Sequence, residues 1–569
     1  MPDRAARDTT VVVLGAGING AALARELLLS GVGVVLVDAG DIACGATAWS
    51  TRLVHGGLRY LEYGEVGLVR ESLAERDRLV RLAPHLVRPL EFYLPMRSRW
   101  GGLTAAAARL LGSESLAKRW RSPRGRGSIA VGMGLTLYDA LATGVGWPRH
   151  RSVCPGATGL PAVDPREFPQ AAVYADAQML FPERFTVELC VDAQRIARAS
   201  HAPFVLVTHA ACSWHSANML RVRGAGEAGG GLLDVQPAAV VNATGAWVDR
   251  TRAALLPGEA RQLIGGTKGS HLVLEAHALR AALGEHGVYA EADDGRPVFV
   301  LPFGPRLVLV GTTDIPFHGD PATARADEGE IAYLLAAVAR LFPSVAPTRS
   351  AVVQHYCGVR PLPAAGGTTP ASVTRRHMLV RHPEAPVPTW SIVGGKLTTC
   401  RSLAEQAARE VLGTLGLPVT GSSRERPLPG TLGAGMRAAC VAEVAAALGA
   451  AGIGPEQCTR VAEHTVELFG ARAPEACRPL PPDVPVLVAG ADLPTAAVGL
   501  CVREEWMTTL DDLVERRLML LFAPDLSRMA LTALAAELVR LGLLPADRRD
   551  AEVDRCVTRL HERYGKVVT

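Results

Sequence analysis

Six residues, Gly15-Ala16-Gly17-Ile18-Asn19-Gly20, constrain the fold of this chain more than any other stretch. They follow a short β-branched run, Thr10-Val11-Val12-Val13-Leu14, of the kind found in buried parallel strands. Leu and Ala then recur at helical spacing from Ala21 to Ser30, and Gly31 is placed to end that helix. A second apolar run, Gly33 to Val37, closes with Asp38. Strand, glycine turn, helix, strand and acid form the dinucleotide-binding arrangement. Gly15 permits the tight turn, Gly17 lets the backbone approach a pyrophosphate, and Gly20 lets helix and strand pack closely. The N–H groups around Ile18 and Asn19 face the phosphates at the positive end of the helix dipole. Asp38 lies 18 residues past Gly20, where a carboxylate binds ribose hydroxyls. This unit alone leaves flavin and nicotinamide dinucleotides both open.

Composition narrows the class. A chain of 569 residues predicts two to four domains, and 48% apolar with 20% charged residues reads as soluble and globular. The net charge of +4 gives no reason to expect a nucleic-acid partner. Eleven cysteines, an odd number with no C-x-x-C pair, argue against a disulfide framework and against zinc, so no metal site is expected. The same usage fits a cytoplasmic protein. No apolar run approaches the ~18 residues a membrane-spanning helix needs. Met1 to Thr10 lacks the layout of a signal peptide.

The rest of the chain carries a resemblance. Asp41 to Tyr63 reads DIACGATAWSTRLVHGGLRYLEY, followed by Glu71-Ser72-Leu73-Ala74-Glu75-Arg76 and Ala83-Pro84-His85-Leu86. Further blocks recur in order: Val241-Asn242-Ala243-Thr244-Gly245-Ala246-Trp247, Lys268-Gly269-Ser270-His271, Gly311-Thr312-Thr313-Asp314, Gly358-Val359-Arg360-Pro361-Leu362 and Gly394-Gly395-Lys396-Leu397-Thr398-Thr399. With Val502-Arg503-Glu504-Glu505-Trp506 they span nearly the whole chain. This set resembles the respiratory, FAD-dependent glycerol-3-phosphate dehydrogenases. The resemblance implies an α/β fold: a discontinuous Rossmann-type FAD-binding domain, an antiparallel-sheet substrate domain and a C-terminal α-helical domain. We expect the FAD-binding domain at 8–95, 170–265 and 350–415, the substrate domain at 96–169 and 266–349, and the helical domain at 425–569. The runs Val298 to Pro302 and Leu307 to Gly311 read as strands joined by a turn at Gly304-Pro305, and 421–433 reads as a linker.

Oxidising a secondary alcohol with flavin requires a base for the hydroxyl proton, a C–H bond aimed at the flavin, and cations for a phosphorylated substrate. The resemblance puts Arg59 and Arg360 in phosphate-clamping motifs, where guanidinium forks match phosphate oxygens; Arg375 is a third candidate and Arg376 has no such warrant. Lys396 follows the Gly394-Gly395 pair and is expected to hold the substrate oxygen or the reduced flavin's charge, with Tyr60 bonding the substrate. His55 and His271 are both candidate bases, and the sequence does not choose between them. Cofactor contacts are expected from Gly15, Gly17, Ile18, Asn19, Gly20, Asp38, Asp41, Ala46, Thr47, Ser50, Thr51, Thr244, Gly245, Gly394, Gly395, Lys396, Leu397 and Thr398. Two departures stand out: Cys357 where the family carries Ser, and Phe181-Pro182-Glu183-Arg184-Phe185 where many members carry Asp-Asp-Ala-Arg.

The implied reaction is oxidation of glycerol 3-phosphate to dihydroxyacetone phosphate, with electrons passed to the quinone pool. The alternatives are an oxidase of the same family that uses oxygen, and a hydroxy-acid or amino-acid oxidising flavoenzyme on the same fold. A homodimer is compatible with either. Arg97 to Gly127 holds eight Arg or Lys against one acid, Glu114, and Trp100 and Trp120 flank the apolar Leu103 to Leu111. Such a segment suits a peripheral contact with anionic lipid on the inner face of the cell membrane.

Overall fold

Residues 9–101, 127–142, 144, 146–224, 231–256, 258, 261–364 and 376–569 are described in a computed structural model. The β-branched run at the start forms the strand Thr10–Leu14, central in a six-stranded sheet. Gly33–Val37 and Phe204–Val207 extend the sheet on one side, and Ala239–Asn242 and Thr389–Val393 on the other, all parallel; Met378–Arg381 adds an antiparallel edge. Its four inner strands are buried because helices Ile18–Leu29, Pro182–Ser200 and Cys400–Thr414 cover one face and a three-stranded sheet covers the other.

The second sheet has ten strands. Its main path runs Ile315–Pro316, Thr267–Glu275, Leu307–Gly311, Pro297–Phe303, Gly287–Glu291, Val87–Met96, Gln170–Met179, Leu53–Val54. Val352–Arg360 pairs with Thr267–Glu275, and Arg151–Val153 with Gln170–Met179. Pairing is antiparallel except between Gly287–Glu291 and Val87–Met96. This moves the expected boundaries. Val87–Met96, Gln170–Met179 and Val352–Arg360, assigned above to the FAD-binding stretches, belong to this sheet because their backbone partners lie in it. The helix Glu328–Leu341 packs on one face, over a core that includes Leu272, Val300 and Val310.

Beyond residue 425 the chain is helical, with Met436–Ala450, Pro455–Phe469, Ala496–Glu504, Arg528–Arg540 and Arg549–Tyr564. Its apolar faces share one core with the large sheet, through residues such as Phe303, Tyr356 and Phe522. No helix among the described residues is long and apolar enough to cross a membrane.

Candidate active site

The glycine turn has the shape a dinucleotide needs. Gly15 has φ +101°, and a Cβ there would lie 2.7 Å from the Ala243 carbonyl oxygen. A Cβ on Gly20 would lie 1.8 Å from the Gly15 oxygen, so the helix can approach the strand only with glycine. Gly17 is different: a Cβ there would meet only Thr47 Oγ1, at 3.4 Å, so the backbone stays accessible from that side. No side chain of Gly17, the N-cap, closes the helix start, although the Ile18 N–H reaches Thr47 Oγ1 at 3.1 Å. Asn19 Oδ1 is buried with no protein partner. Asp38 accepts the Ala16 N–H at 2.6 Å and the Gly40 N–H at 2.8 Å, which pins its carboxylate to the turn; burial raises its pKa. Anion-ready N–H groups, an orphaned polar atom and a fixed acid fit the pyrophosphate and ribose of FAD.

Other expected cofactor residues converge on this turn. A Cβ on Gly15 would touch the Thr244 backbone, and Thr244 Oγ1 donates to Asn242 Oδ1 at 2.7 Å. Gly245 starts a one-turn helix at φ +60°. Gly394 and Gly395 have φ of +80° and +96°, and a Cβ on Gly395 would lie 2.8 Å from Asn19 Nδ2. The second glycine pair therefore sits beside the first helix start. Ala46, Thr47 and Ser50 form the loop over Gly17, with Ser50 Oγ donating to the Thr47 carbonyl.

Asp41 is a correction. It was expected among the cofactor contacts, but its carboxylate is buried and turned towards the C-terminal helices. Arg516 and Arg517 occupy it at 2.5–2.7 Å.

The residues expected to carry the chemistry sit on two neighbouring pieces. His55 and Gly56 follow the strand Leu53–Val54, and Arg59 and Tyr60 lie on the short 3-10 helix Leu58–Tyr63. Gly57, at φ +83°, is needed because the Tyr60 ring folds back over it. Lys396 Nζ lies 4.0 Å from the centre of the Tyr60 ring and donates to Ser72 Oγ at 3.2 Å. The His55 ring lies 6.4 Å from that of Tyr60, and the His55 N–H donates to Thr398 Oγ1 at 3.1 Å. Leu397 is half-buried in the same turn. His55, Tyr60, Lys396 and Thr398 are thus one cluster.

Arg360 and His271 come from the large sheet. Thr267 pairs with Arg360 and His271 with Tyr356, which puts all four side chains on one face. Arg360 donates to Asp314 at 2.8 Å and to Thr312 Oγ1 at 2.9 Å, so its guanidinium is held in place. His271 is 2% exposed, stacks on Tyr356 and meets Thr51 Oγ1 through Nε2 at 2.9 Å, while its Nδ1 has no partner. Burial, then Arg360 and Arg52, hold its pKa well below the ordinary histidine value. Arg375 lies outside the described residues. Arg376 pairs with Glu65 at the surface.

Sequence reasoning missed what supports the His55-Gly56-Gly57 loop. The Gly56 N–H donates to Tyr138 Oη at 2.8 Å, and the Tyr138 hydroxyl donates to Asp176, also at 2.8 Å. Asp176 pairs with Arg76 at 3.0 Å, and Arg76 lies 3.8 Å from the Trp147 ring centre. The signal was present: Asp176 is the one charged residue in the run Tyr174 to Met179.

Comparison with known proteins gives the family. A family profile described as FAD dependent oxidoreductase matches residues 10–380. The chain is 35% identical over 422 residues to a glycerol-3-phosphate dehydrogenase from Synechocystis, covering 71% of this chain and 70% of that protein. It is 28% identical over 520 residues to D-erythritol 1-phosphate dehydrogenase from Brucella abortus, covering 89% and 93%. Among solved structures, glycerol-3-phosphate dehydrogenase from Bacillus halodurans complexed with FAD has the same fold, with TM-score 0.68, 20% identity, and coverage of 98% and 96%.

Proposed function

Because the chain belongs to the FAD-dependent glycerol-3-phosphate dehydrogenase family, we propose that it oxidises the secondary alcohol of sn-glycerol 3-phosphate to the ketone of dihydroxyacetone phosphate. The observation that carries this reading is the packing of Lys396, Tyr60 and His55 against the second glycine turn, beside the first. Bound FAD supplies the hydride acceptor, flavin N5. Everything else falls to the chain. Arg59 and Arg360 bind the phosphate dianion, with Arg375 as a third candidate. Asp314 and Thr312 keep the Arg360 fork oriented before substrate arrives. Lys396, fixed by Ser72 and Tyr60, holds the substrate oxygen.

His55 takes the hydroxyl proton in this reading. Its rival, His271, is sealed from solvent and disfavoured as a proton acceptor by burial and two guanidinium groups. The test is anaerobic mixing. Glycerol 3-phosphate should bleach the yellow absorbance of the purified protein, and His55→Asn should slow the bleaching by about 100-fold, within the range of a lost general base. An unbleached wild type defeats the substrate assignment. A variant as fast as wild type removes His55 from the proton step.

A second substrate has its own support. The D-erythritol 1-phosphate dehydrogenase aligns over 89% of this chain, against about 70% for the glycerol-3-phosphate enzymes, including most of the region beyond residue 425. The same clamp serves any small polyol phosphate. Parallel assays with both substrates rank them by kcat/KM.

For the electron acceptor we infer a quinone at a membrane surface, supported by the helix Ser128–Leu141. It exposes Met133 and Leu137, Trp100 is exposed as well, and the helix follows the basic stretch 102–126, whose residues lie outside those described. Stoichiometric hydrogen peroxide in air would favour the oxidase alternative instead.

A further inference from the structure

The loop from Asp41 to Arg52 closes over the phosphate-binding turn. Thr47, at its centre, accepts the Ile18 N–H, and the Ala43 N–H donates to the Ala16 carbonyl at 3.0 Å. Ala43 and Arg52 are non-glycine residues at φ +59° and +60°, in the left-handed region. A loop of that shape persists only where its surroundings fix it. Those surroundings come largely from the far end of the chain.

Asp41 is held there, and Arg52 and Trp49 touch residues there as well. Both oxygens of Asp41 are taken: Arg517 forms a bidentate pair at 2.7 Å, and Arg516 Nε donates at 2.5 Å. Arg52 is fixed by Glu183 at 2.6 and 2.9 Å and lies 4.6 Å from the Phe522 ring centre. The Trp49 ring lies against Gly358 on one side and 4.3 Å below the Arg563 guanidinium on the other. The two arginines that grip Asp41 are consecutive residues. A five-residue π turn, Leu513–Arg517, presents both to one carboxylate. Each is anchored from behind: Arg516 by Asp512 and Glu515, and Arg517 by the Glu505 carbonyl. Glu505 is itself gripped by Arg184 and Arg472.

We propose that the C-terminal helical region clamps the cofactor loop, and that Asp41, held by Arg516 and Arg517, is a positioning residue for FAD that acts through Thr47 and the loop backbone rather than by contact. The proposal gives the C-terminal region a task in cofactor retention. It rests on the reading that residues 41–52 lie over the cofactor phosphates.

The test uses the holoenzyme and two readouts: the rate of FAD release, followed as the rise of free-flavin fluorescence on dilution, and the melting midpoint by circular dichroism. Asp41→Asn and Arg517→Lys are compared with Arg472→Lys. Arg472 bonds Glu504 and Glu505 in the same cluster but none of the loop residues. Asp41→Asn and Arg517→Lys should release FAD at least about tenfold faster, the expected effect of losing one charge-assisted hydrogen bond. Arg472→Lys should lower the midpoint and leave release unchanged. Arg517→Lys keeps the positive charge, so it carries the test if Asp41→Asn fails to fold. Wild-type release rates in both loop-side variants overturn the proposal. So does an equal acceleration by Arg472→Lys, which would make the effect one of general stability. A wild type that never retains flavin would instead defeat the cofactor reading beneath it.

Discussion

Arg360 and His271 project from the same sheet face, yet the structure fits them for opposite work. Arg360 stays partly open to solvent, its fork held by Asp314 and Thr312. Arg360→Ala removes a charge-assisted phosphate contact and should lower kcat/KM by roughly 10- to 100-fold, mostly through KM. Initial rates over a range of substrate concentrations check this, and unchanged kinetics would take Arg360 out of the site. His271 is kept neutral inside the fold, chiefly by burial. In the unfolded chain it protonates below about pH 6.5. A depressed folded pKa therefore means stability that is complete above that value and is lost as pH falls from there towards the lowered folded value. His209 works the other way: its bond to Asp512 raises its pKa, so its contribution is present below its ordinary value and fades as pH rises through the raised one. Urea unfolding of wild type and variant at pH 7 and pH 5 separates His271 from the other histidines. His271→Gln, though less stable overall because it loses the Tyr356 stack, should show a shallower fall between the two pH values than wild type. An identical fall would mean that His271 is not the neutral group.

Elements were legible in the sequence where their instructions are local. The glycine turn with its flanking strands, the hairpin Pro297–Phe303 with Leu307–Gly311, and the helix Cys400–Thr414 after the second glycine pair all follow from periodicity and turn residues within about twenty positions. Pairings across long separations were not legible. Val87–Met96 and Val352–Arg360 are ordinary apolar strands whose sequences carry no mark of which sheet they join, so the domain boundaries fell in the wrong places. The helix Ser128–Leu141 is the instructive case. It is apolar nearly all round, which by itself predicts deep burial. Instead, one side sends Tyr138 inward to Gly56 and Asp176, and the other leaves Met133 67% exposed. Each side yields a prediction. Tyr138→Phe deletes the hydroxyl that accepts the Gly56 N–H beside His55, costing about 1–2 kcal/mol of stability and raising KM several-fold, with the Asp176–Arg76 pair intact. Equal kinetics in the Phe variant would show that the loop holds itself. Changing Met133 and Leu137 together to Glu removes the exposed apolar stripe and should abolish flotation with anionic liposomes. Retained flotation would move any lipid contact elsewhere on the surface.

At the scale of the whole molecule, the divisions drawn from sequence do not mark separable bodies. The Pro- and Gly-rich stretch read as a linker is strapped along the FAD-binding domain: Ser423 and Arg426 bond Glu26 and Asp192, and the Gly430 N–H bonds Glu188. Beyond it, Arg184 reaches Glu505 at 2.6 Å and Asp41 reaches Arg517 at 2.7 Å, with all four side chains fully buried. No local pattern could have revealed these pairs, since the partners lie 321 and 476 positions apart. Pulling the helical region away would leave each of these charges without its partner in a low-dielectric interior, where breaking a single buried pair costs about 3–5 kcal/mol. The apolar core shared with the large sheet would be lost at the same time. Partial unfolding of the C-terminal region is therefore too costly to populate, and the protein should melt as one unit although its length alone would suggest several. Scanning calorimetry of the holoenzyme should give a single transition whose van't Hoff and calorimetric enthalpies agree. Added FAD should move the whole transition upward, by about 2.7 kcal/mol at 100 times its Kd. If two peaks appear and FAD shifts only one of them, the helical region folds independently, and the buried arginines join two bodies that do not depend on each other.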